Sequence, residues 1–367
     1  MTTLLADYHH HDLWESLELM CARLGWTLVR PIGMDWFDAG YWNFERQWHG
    51  DAVAKQYLTP WGSDVPPNYT DGYDWVPGKR YDFSHNRWQN LVTLEQARYL
   101  KPDIVLASVA HNHEGFYNFA KSYTPKGRGG FGATFGIHLG NVRFSDIDMQ
   151  EDRWDLADFG IVTTLLPSTP PKPHVVVHQE FDLDDFRHEA PVEDGVFTVS
   201  SFVNCFAENR VGYAQFRDTA ALRPEYDWKV FGSYGSAPED EYAAGNLQPC
   251  SAVGDAMRAS DVAWHTKQWS DGFGHVIHDW FAVGRPVVGY QWYYESQLAG
   301  PLWQEGVTSF DLTDKTPAES VAILDRLYQD PDLRLRMGEN AARRFREIVD
   351  FDEEERAIRD LFSRVLP

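Results

Sequence analysis

Apolar residues recur along this chain in two successive series of short strand-like runs alternating with helical stripes, the pattern of α/β units in tandem. In the first series Thr3 to Asp7 reads as a strand, and Asp12 to Leu24 as a helix with Leu13, Leu17, Met20 and Leu24 on one face. Asp12 suits a helix N-cap and Gly25 a helix stop. Trp26 to Arg30 is the next strand. From Trp36 to Trp88 regular alternation fails, in a segment crowded with Trp, Tyr, Pro and Gly. So long an irregular insertion is usually functional or disordered, and its aromatic density argues against disorder. The pattern resumes with a helix near Leu94 to Leu100 and strands at Asp103 to Ser108, Ala133 to His138, Phe159 to Thr163 and Val175 to Val177.

An acidic, proline-containing stretch running to Gly195 reads as a linker. Beyond it the second series predicts strands at Val196 to Val203, Trp228 to Phe231, Val262 to Thr266 and Pro286 to Tyr290, with a helix beyond Glu208 and another starting near His275. Helices close the chain near Ala318 to Tyr328, Asp332 to Ile348 and Asp352 to Val365. The expected organisation is therefore an N-terminal Rossmann-like domain over 1–190 with an aromatic insertion at 36–90, a second over 195–350, and a helix at 351–367 packing back toward the first.

Composition narrows the function classes. A length of 367 residues with 43% hydrophobic content suits two globular domains. No run of about eighteen uncharged apolar residues occurs, so no membrane span is expected. The start of the chain lacks the basic flank and apolar stretch of a signal peptide. Three cysteines (Cys21, Cys205, Cys250) show no metal-ligand spacing and read as reduced thiols, hence a cytoplasmic location. A net charge of −22 works against non-specific binding to nucleic acid or anionic membrane, without excluding a local basic groove.

The densest chemistry lies in Asp271-Gly-Phe-Gly-His-Val-Ile-His-Asp279, which runs on through Trp280-Phe-Ala-Val-Gly-Arg-Pro-Val-Val288. Gly272 and Gly274 allow a tight turn and close backbone approach. A helix starting near His275 aims free N–H groups and its positive dipole end at whatever sits above, so an anion is the expected guest. Asp279, one turn into that helix, can accept hydrogen bonds from ribose hydroxyls, and Asp271 in the loop can reach a sugar hydroxyl. The plain alternative is a strand-turn-helix corner that these acids cap and solvate, since Gly-x-Gly turns are common.

Taken in order, these signals resemble the retaining glycosyltransferases of GT-B fold, most of all glycosyltransferase family four. The resemblance covers nearly the whole chain and is carried by Ser260-Asp-Val-Ala-Trp-His-Thr266, Asp271-Gly-Phe-Gly274, Ala282-Val-Gly-Arg-Pro-Val-Val288, Glu305-Gly-Val-Thr-Ser-Phe310 and Asp330-Pro-Asp-Leu-Arg-Leu-Arg-Met-Gly-Glu-Asn-Ala341. Val175-Val-Val-His-Gln-Glu-Phe-Asp182, followed by Phe186, is similar to the segment that closes the family's first domain. The resemblance implies two Rossmann-like domains facing an interdomain cleft, with donor mainly on the second and acceptor mainly on the first. The family's paired glutamates are here Asp271 and Asp279, each one methylene shorter. The family's arginine and lysine after the first strand of domain two, which hold the diphosphate, are matched by Arg210 alone. Asn204 stands in the other slot, and Lys267, after the strand Val262 to Thr266, is the substitute cation.

The expected reaction is metal-independent transfer of a sugar from a nucleoside diphosphate donor to an acceptor hydroxyl, with retention implied by the resemblance; no cofactor is expected beyond the nucleotide-sugar co-substrate. His138, Arg210, Lys267 and Asp271 form the expected catalytic set. Gly272, Phe273, Gly274, His275 and Asp279 form the expected donor site. His138 matches the family histidine that faces the donor sugar, against the alternative of a core or capping histidine. For Arg210 and Lys267 the alternative is an exposed surface charge. His9, His10, His11, His111 and His113 are expected at the acceptor side rather than on a metal, because adjacent loop histidines rarely converge on one ion. Trp42, Trp61 and Trp75 are expected to select the acceptor, with Trp36, Trp48 and Trp88 in the same insertion, or else to form a satellite core. The acceptor is a saccharide, a small metabolite or, in the rival reading, a hydroxymethylated DNA base flipped against the insertion and its Lys79, Arg80 and Arg87. A non-catalytic nucleotide-sugar-binding protein is the alternative of another class.

Overall fold

The structure is a computed structural model that describes residues 2–6, 11–32, 58–59, 78–82, 87–93, 101–108, 133–139, 154, 157–165, 169–191, 195–202, 210–232, 241–245, 247, 249–267 and 272–366. The chain divides into two compact units, the first formed by Met1–Phe181 with Phe351–Pro367 and the second by Asp182–Asp350. Asp7, the helix expected near Leu94 to Leu100, and most of the Trp36 to Trp88 insertion lie outside the described residues.

The first unit is built on the strands β1 (Thr3–Ala6), β2 (Thr27–Ile32), β3 (Leu58–Thr59), β4 (Gly78–Asp82), β5 (Arg87–Thr93), β6 (Ile104–Ser108), β7 (Thr134–Leu139), β8 (Phe159–Val162) and β9 (His174–Val176). They form one sheet in the order β3-β4-β5-β2-β1-β6-β7-β8-β9. From β5 to β9 every pairing is parallel, while β4 runs antiparallel to both β3 and β5. The insertion therefore corrects the expectation of unbroken irregularity: it returns to the sheet as β5, whose Leu91 lies opposite Arg30 of β2.

Helix α1 (His11–Leu24) covers this sheet because Trp14, Leu17, Cys21 and Leu24, spaced three or four apart, are all buried. It stops at Gly25, whose φ of 69° is left-handed, and Trp26 N–H closes back on the Cys21 carbonyl at 2.8 Å. The last described helix, α7 (Phe351–Val365, with the helices between named below), belongs to the same unit. Ile358, Leu361 and Phe362 join the core of α1, β1, β6 and β8, with Phe362 edge-on to Trp26 and Phe159 at 4.6 and 4.9 Å. Gly136 in β7 has no room for a side chain, since a Cβ there would lie 2.1 Å from the Phe159 ring.

The second unit contains, in chain order, β10 (Thr198–Phe202), α2 (Arg210–Ala220), β11 (Asp227–Phe231), β12 (Ala243–Gly245), α3 (Cys250–Arg258), β13 (Val262–His265), α4 (His275–Val283), β14 (Val287–Gly289), β15 (Ser309–Asp311), α5 (Pro317–Gln329) and α6 (Pro331–Ile348). Its sheet runs β12-β11-β10-β13-β14-β15, and every pairing is parallel. In order of appearance that is 3-2-1-4-5-6, the Rossmann arrangement, with the reversal of strand order between β10 and β13. Trp264, Phe216 and Trp228 meet edge-on inside it, the burial of each such ring contributing about 1.5–3 kcal/mol. A full capping box at Thr316 and Glu319 starts α5, and Asp330 accepts from Leu333 N–H to start α6.

The stretch read as a linker is pinned to this unit. Arg258 donates to the Asp185 carbonyl, His188 Nδ1 to the Val283 carbonyl at 2.9 Å, and Arg285 to the Glu189 carbonyl at 2.8 Å. Arg285 is 1% exposed and also donates to the Ser260, Arg258 and Gly284 carbonyls. Burial lowers its guanidinium to about 10, which leaves it charged at neutral pH.

Candidate functional site

The C-terminal ends of β10 and β13 flank the reversal of strand order, where a doubly wound sheet leaves a crevice for ligands. Two helices open there. Helix α2, described from Arg210, is the first described helix after β10, and α4 begins at His275, after the turn Gly272-Phe-Gly274.

The α4 turn is a backbone device. Gly274 is the N-cap with φ 85° and ψ 46°, it supplies no side-chain cap, and the first turn of the helix carries no acid. A Cβ on Gly274 would lie 2.9 Å from the Tyr294 ring and 3.1 Å from the Ala299 side chain, on top of its left-handed strain. Beneath it Tyr294 is fully buried, stacked on Trp303 at 5.7 Å, and its hydroxyl lies 2.6 Å from His265 Nε2. His278, one turn in, donates from Nδ1 to the Gly274 carbonyl at 2.8 Å and stacks face to face on Phe273 at 4.2 Å. At the far end Gly338 of α6 meets Gly284, where a Cβ would stand 2.5 Å from the Gly284 carbonyl. The helix is thus fixed at both ends, and a left-handed glycine rather than a capping side chain opens it.

The residues expected for donor binding are brought together here, with two differences. Phe273 turns its ring inward, is 1% exposed and wedges the turn against His278. Asp279 is 3% exposed and sits one turn above His275, with Oδ1 and Nε2 3.6 Å apart, an acid recessed in the helix rather than standing on its surface. Lys267 follows β13 and is half-buried. Arg210 is the first residue of α2, and Asp271 lies outside the described residues.

His138, matched by the resemblance to a sugar-facing histidine, belongs to the first unit. It is 2% exposed on β7 and lines one cavity with Ser16, Leu17 and Met20 of α1, Phe351, Glu354 and Ile358 of α7, and Thr163. Its Nε2 has no hydrogen-bond partner among the described residues. Burial lowers its imidazole to about 3, so it is neutral across the physiological range. Beside it, Arg23 pairs with Glu180 and Asp352, and His178 Nδ1 with Glu354 at 2.6 Å, fastening α7 to α1 and to the chain after β9.

His9, His10, His111, His113, Trp42, Trp61 and Trp75 lie outside the described residues, and His11 is seen only as the first residue of α1. Among the described residues no three of His, Cys, Asp and Glu converge as a metal site, and no helix is long and apolar enough to cross a membrane. Sequence reading missed Tyr294 and His265 as supports of the turn, and Thr266 as a support of α2. Gly274 was the available signal, because a left-handed glycine needs a floor beneath it.

No family model matches the chain, and no curated protein matches it. Solved structures do. HepE of Anabaena, in complex with UDP and glucose, aligns over 99% of this chain and 99% of its own at 14% identity, with a TM-score of 0.63. A glycosyltransferase from Rickettsia africae aligns over 100% and 98% at 13% identity with a TM-score of 0.61. The pneumococcal O-GlcNAc transferase GtfA, in complex with UDP and GlcNAc, aligns over 100% and 99% at 10% identity with a TM-score of 0.59. The likeness is one of fold: the chain has the pair of Rossmann-like units of the GT-B architecture.

Proposed function

We propose that this protein is a glycosyltransferase that moves a sugar from a nucleoside diphosphate to an acceptor hydroxyl. The observation that carries the reading is the glycine-opened start of α4 over Gly272-Phe-Gly274, placed at the reversal of strand order in the second sheet. The amide end of a helix, with its positive dipole, suits the charge that develops on a leaving diphosphate. Arg210 at the head of α2 and Lys267 after β13 supply cations to the same crevice. Asp279 takes the ribose and Asp271 a hydroxyl of the transferred sugar, while acceptor selection falls to the first unit. The UDP complexes of HepE and GtfA support a nucleoside diphosphate donor for a chain of this fold. Retention of anomeric configuration rests on the resemblance to family four, and independence of metal on histidines and acids that do not fall into a metal-ligand pattern along the sequence.

A thermal-shift panel of UDP-, GDP-, ADP- and TDP-sugars tests the binding half, with at least one donor expected to raise the melting temperature. Mass spectrometry of that donor with and without saccharide acceptors tests the transfer half. Stabilisation with no donor turnover marks a binding protein instead, and the absence of any shift removes the nucleotide-sugar reading.

A further inference from the structure

The last residue of β13 and the one after it reach opposite ways. His265 lies under the α4 turn, with Nε2 2.6 Å from the Tyr294 hydroxyl, and the Tyr294 ring is the surface on which Gly274 rests. Thr266 reaches the other helix: its hydroxyl donates to the Gly212 carbonyl in the first turn of α2 at 2.9 Å and accepts from Trp264 Nε1 at 3.0 Å. Both residues are fully buried. Helix α2 is held again one turn further on, where Gln215 accepts from the Tyr290 hydroxyl and donates to the Lys315 carbonyl at 3.1 Å and Ser320 Oγ at 3.3 Å.

We propose that His265 and Thr266 are positioning residues, a two-armed brace that sets the distance between the heads of α2 and α4 and so fits the crevice to a diphosphate rather than a single phosphate. This rests on the nucleotide-sugar reading of the same crevice and adds how its spacing is fixed. Neither side chain touches substrate. Threonine at 266 serves because its one hydroxyl can accept from the indole of Trp264 and donate to the Gly212 carbonyl at once. Valine has the same shape and does neither, so the Trp264 indole N–H loses this partner and the Gly212 carbonyl keeps only its bond within the helix.

Calorimetry of wild type, Thr266→Val, Thr266→Ser and Tyr294→Phe with UDP, GDP, ADP and TDP, and with the matching monophosphates, tests the brace. For the base that wild type prefers, Thr266→Val should weaken diphosphate binding about tenfold, the scale of one lost buried hydrogen bond, while monophosphate binding changes less than twofold. Thr266→Ser should restore the diphosphate preference, and Tyr294→Phe, which removes the hydroxyl that meets His265, should lower it in the same direction. A general loss of structure would weaken both ligands together. Equal weakening, or an unchanged ratio in the folded Thr266→Val and Tyr294→Phe proteins, overturns the brace while leaving the nucleotide site standing. Wild type that binds none of the four diphosphates removes the site and the brace with it.

Discussion

Both units order their parallel strands in the same way around a reversal, yet the parts described beside their central strands are built differently. In the second unit α4 opens on a left-handed glycine and stands on a floor of buried aromatics. In the first, the reversal lies between β1 and β6, and the described contacts stand one strand further on: His138 of β7, the counterpart of β14, lines a cavity with residues of α1 and α7, and Arg23, Glu180, His178 and Glu354 bind those elements together. Shared topology therefore decides where a ligand site is available. Backbone turns and side-chain pairs decide what stands around it.

The sharpest way to break this contrast is at Gly274. Gly274→Val combines left-handed strain with a clash against Tyr294 and Ala299, and the turn must move. Nucleoside diphosphate binding should fall by ~100-fold or more, with a loss of about 1–3 kcal/mol in folding stability. Calorimetry beside chemical denaturation reads both. Unaltered affinity in a folded variant would place the nucleotide elsewhere.

His138 tests the first unit. Its folded value of about 3 lies below the ordinary imidazole value of 6.5, so the unfolded chain takes up the proton first. The stability it contributes is whole above pH 6.5 and is lost progressively as pH falls toward 3, with a slope approaching about 1.4 kcal/mol per pH unit. His138→Gln should remove that part of the acid sensitivity and leave donor affinity within about twofold at pH 7. A loss of turnover with stability unchanged would instead return His138 to the sugar.

How much of this was legible beforehand divides along physical lines. Elements with a strong period or a cap were readable: α1 by its stripe and Gly25, α6 by Asp330-Pro331, β13 and β14 by their apolar runs. Missed were β12 and β15, three residues each, and α3, whose Gly254 sits where a Cβ would meet the Asp185 carbonyl at 1.9 Å. Such segments are ordered by neighbours rather than by propensity. β5 was hidden for a similar reason, since Arg87-Trp-Gln-Asn-Leu-Val-Thr93 has no clean alternation and gains its place only by pairing with β2 and β4. At the site, the glycine turn and its acids were visible because backbone geometry restricts residue type. The inward turn of Phe273 and the burial of His138 depend on which face of an element meets the core, and spacing alone does not choose between the faces at a strand end.

Asp279 tests the second unit. Because the carboxylate is recessed beside His275, a ribose that reaches it forms a hydrogen bond largely shielded from water. Asp279→Asn keeps the shape and removes the charge, and should weaken nucleoside diphosphate binding about tenfold, the range of one charge-assisted hydrogen bond. Comparing the nucleotide with its 2′,3′-dideoxy form makes the test specific. The variant should discriminate between the two less than wild type does, and equal discrimination in both proteins would make Asp279 a structural partner of His275 only.

The smallest effect is expected at the fastening of α7. Glu354 accepts from His178 Nδ1 at 2.6 Å and from the His178 amide at 3.1 Å, so Glu354→Ala takes away two contacts of one side chain. Both partners are largely buried, which raises the cost above that of an exposed ion pair, and a loss of about 1–2 kcal/mol in stability is expected. Apolar packing of Ile358, Leu361 and Phe362 should still keep α7 in place. Since Glu354 is not among the residues proposed to hold the donor, nucleoside diphosphate affinity should stay within about twofold of wild type, whereas a shared binding surface would couple the two. Denaturation and calorimetry on the same preparation decide it. A Glu354→Ala protein of normal stability that has lost nucleotide affinity would mean that this end of the first unit belongs to the donor site.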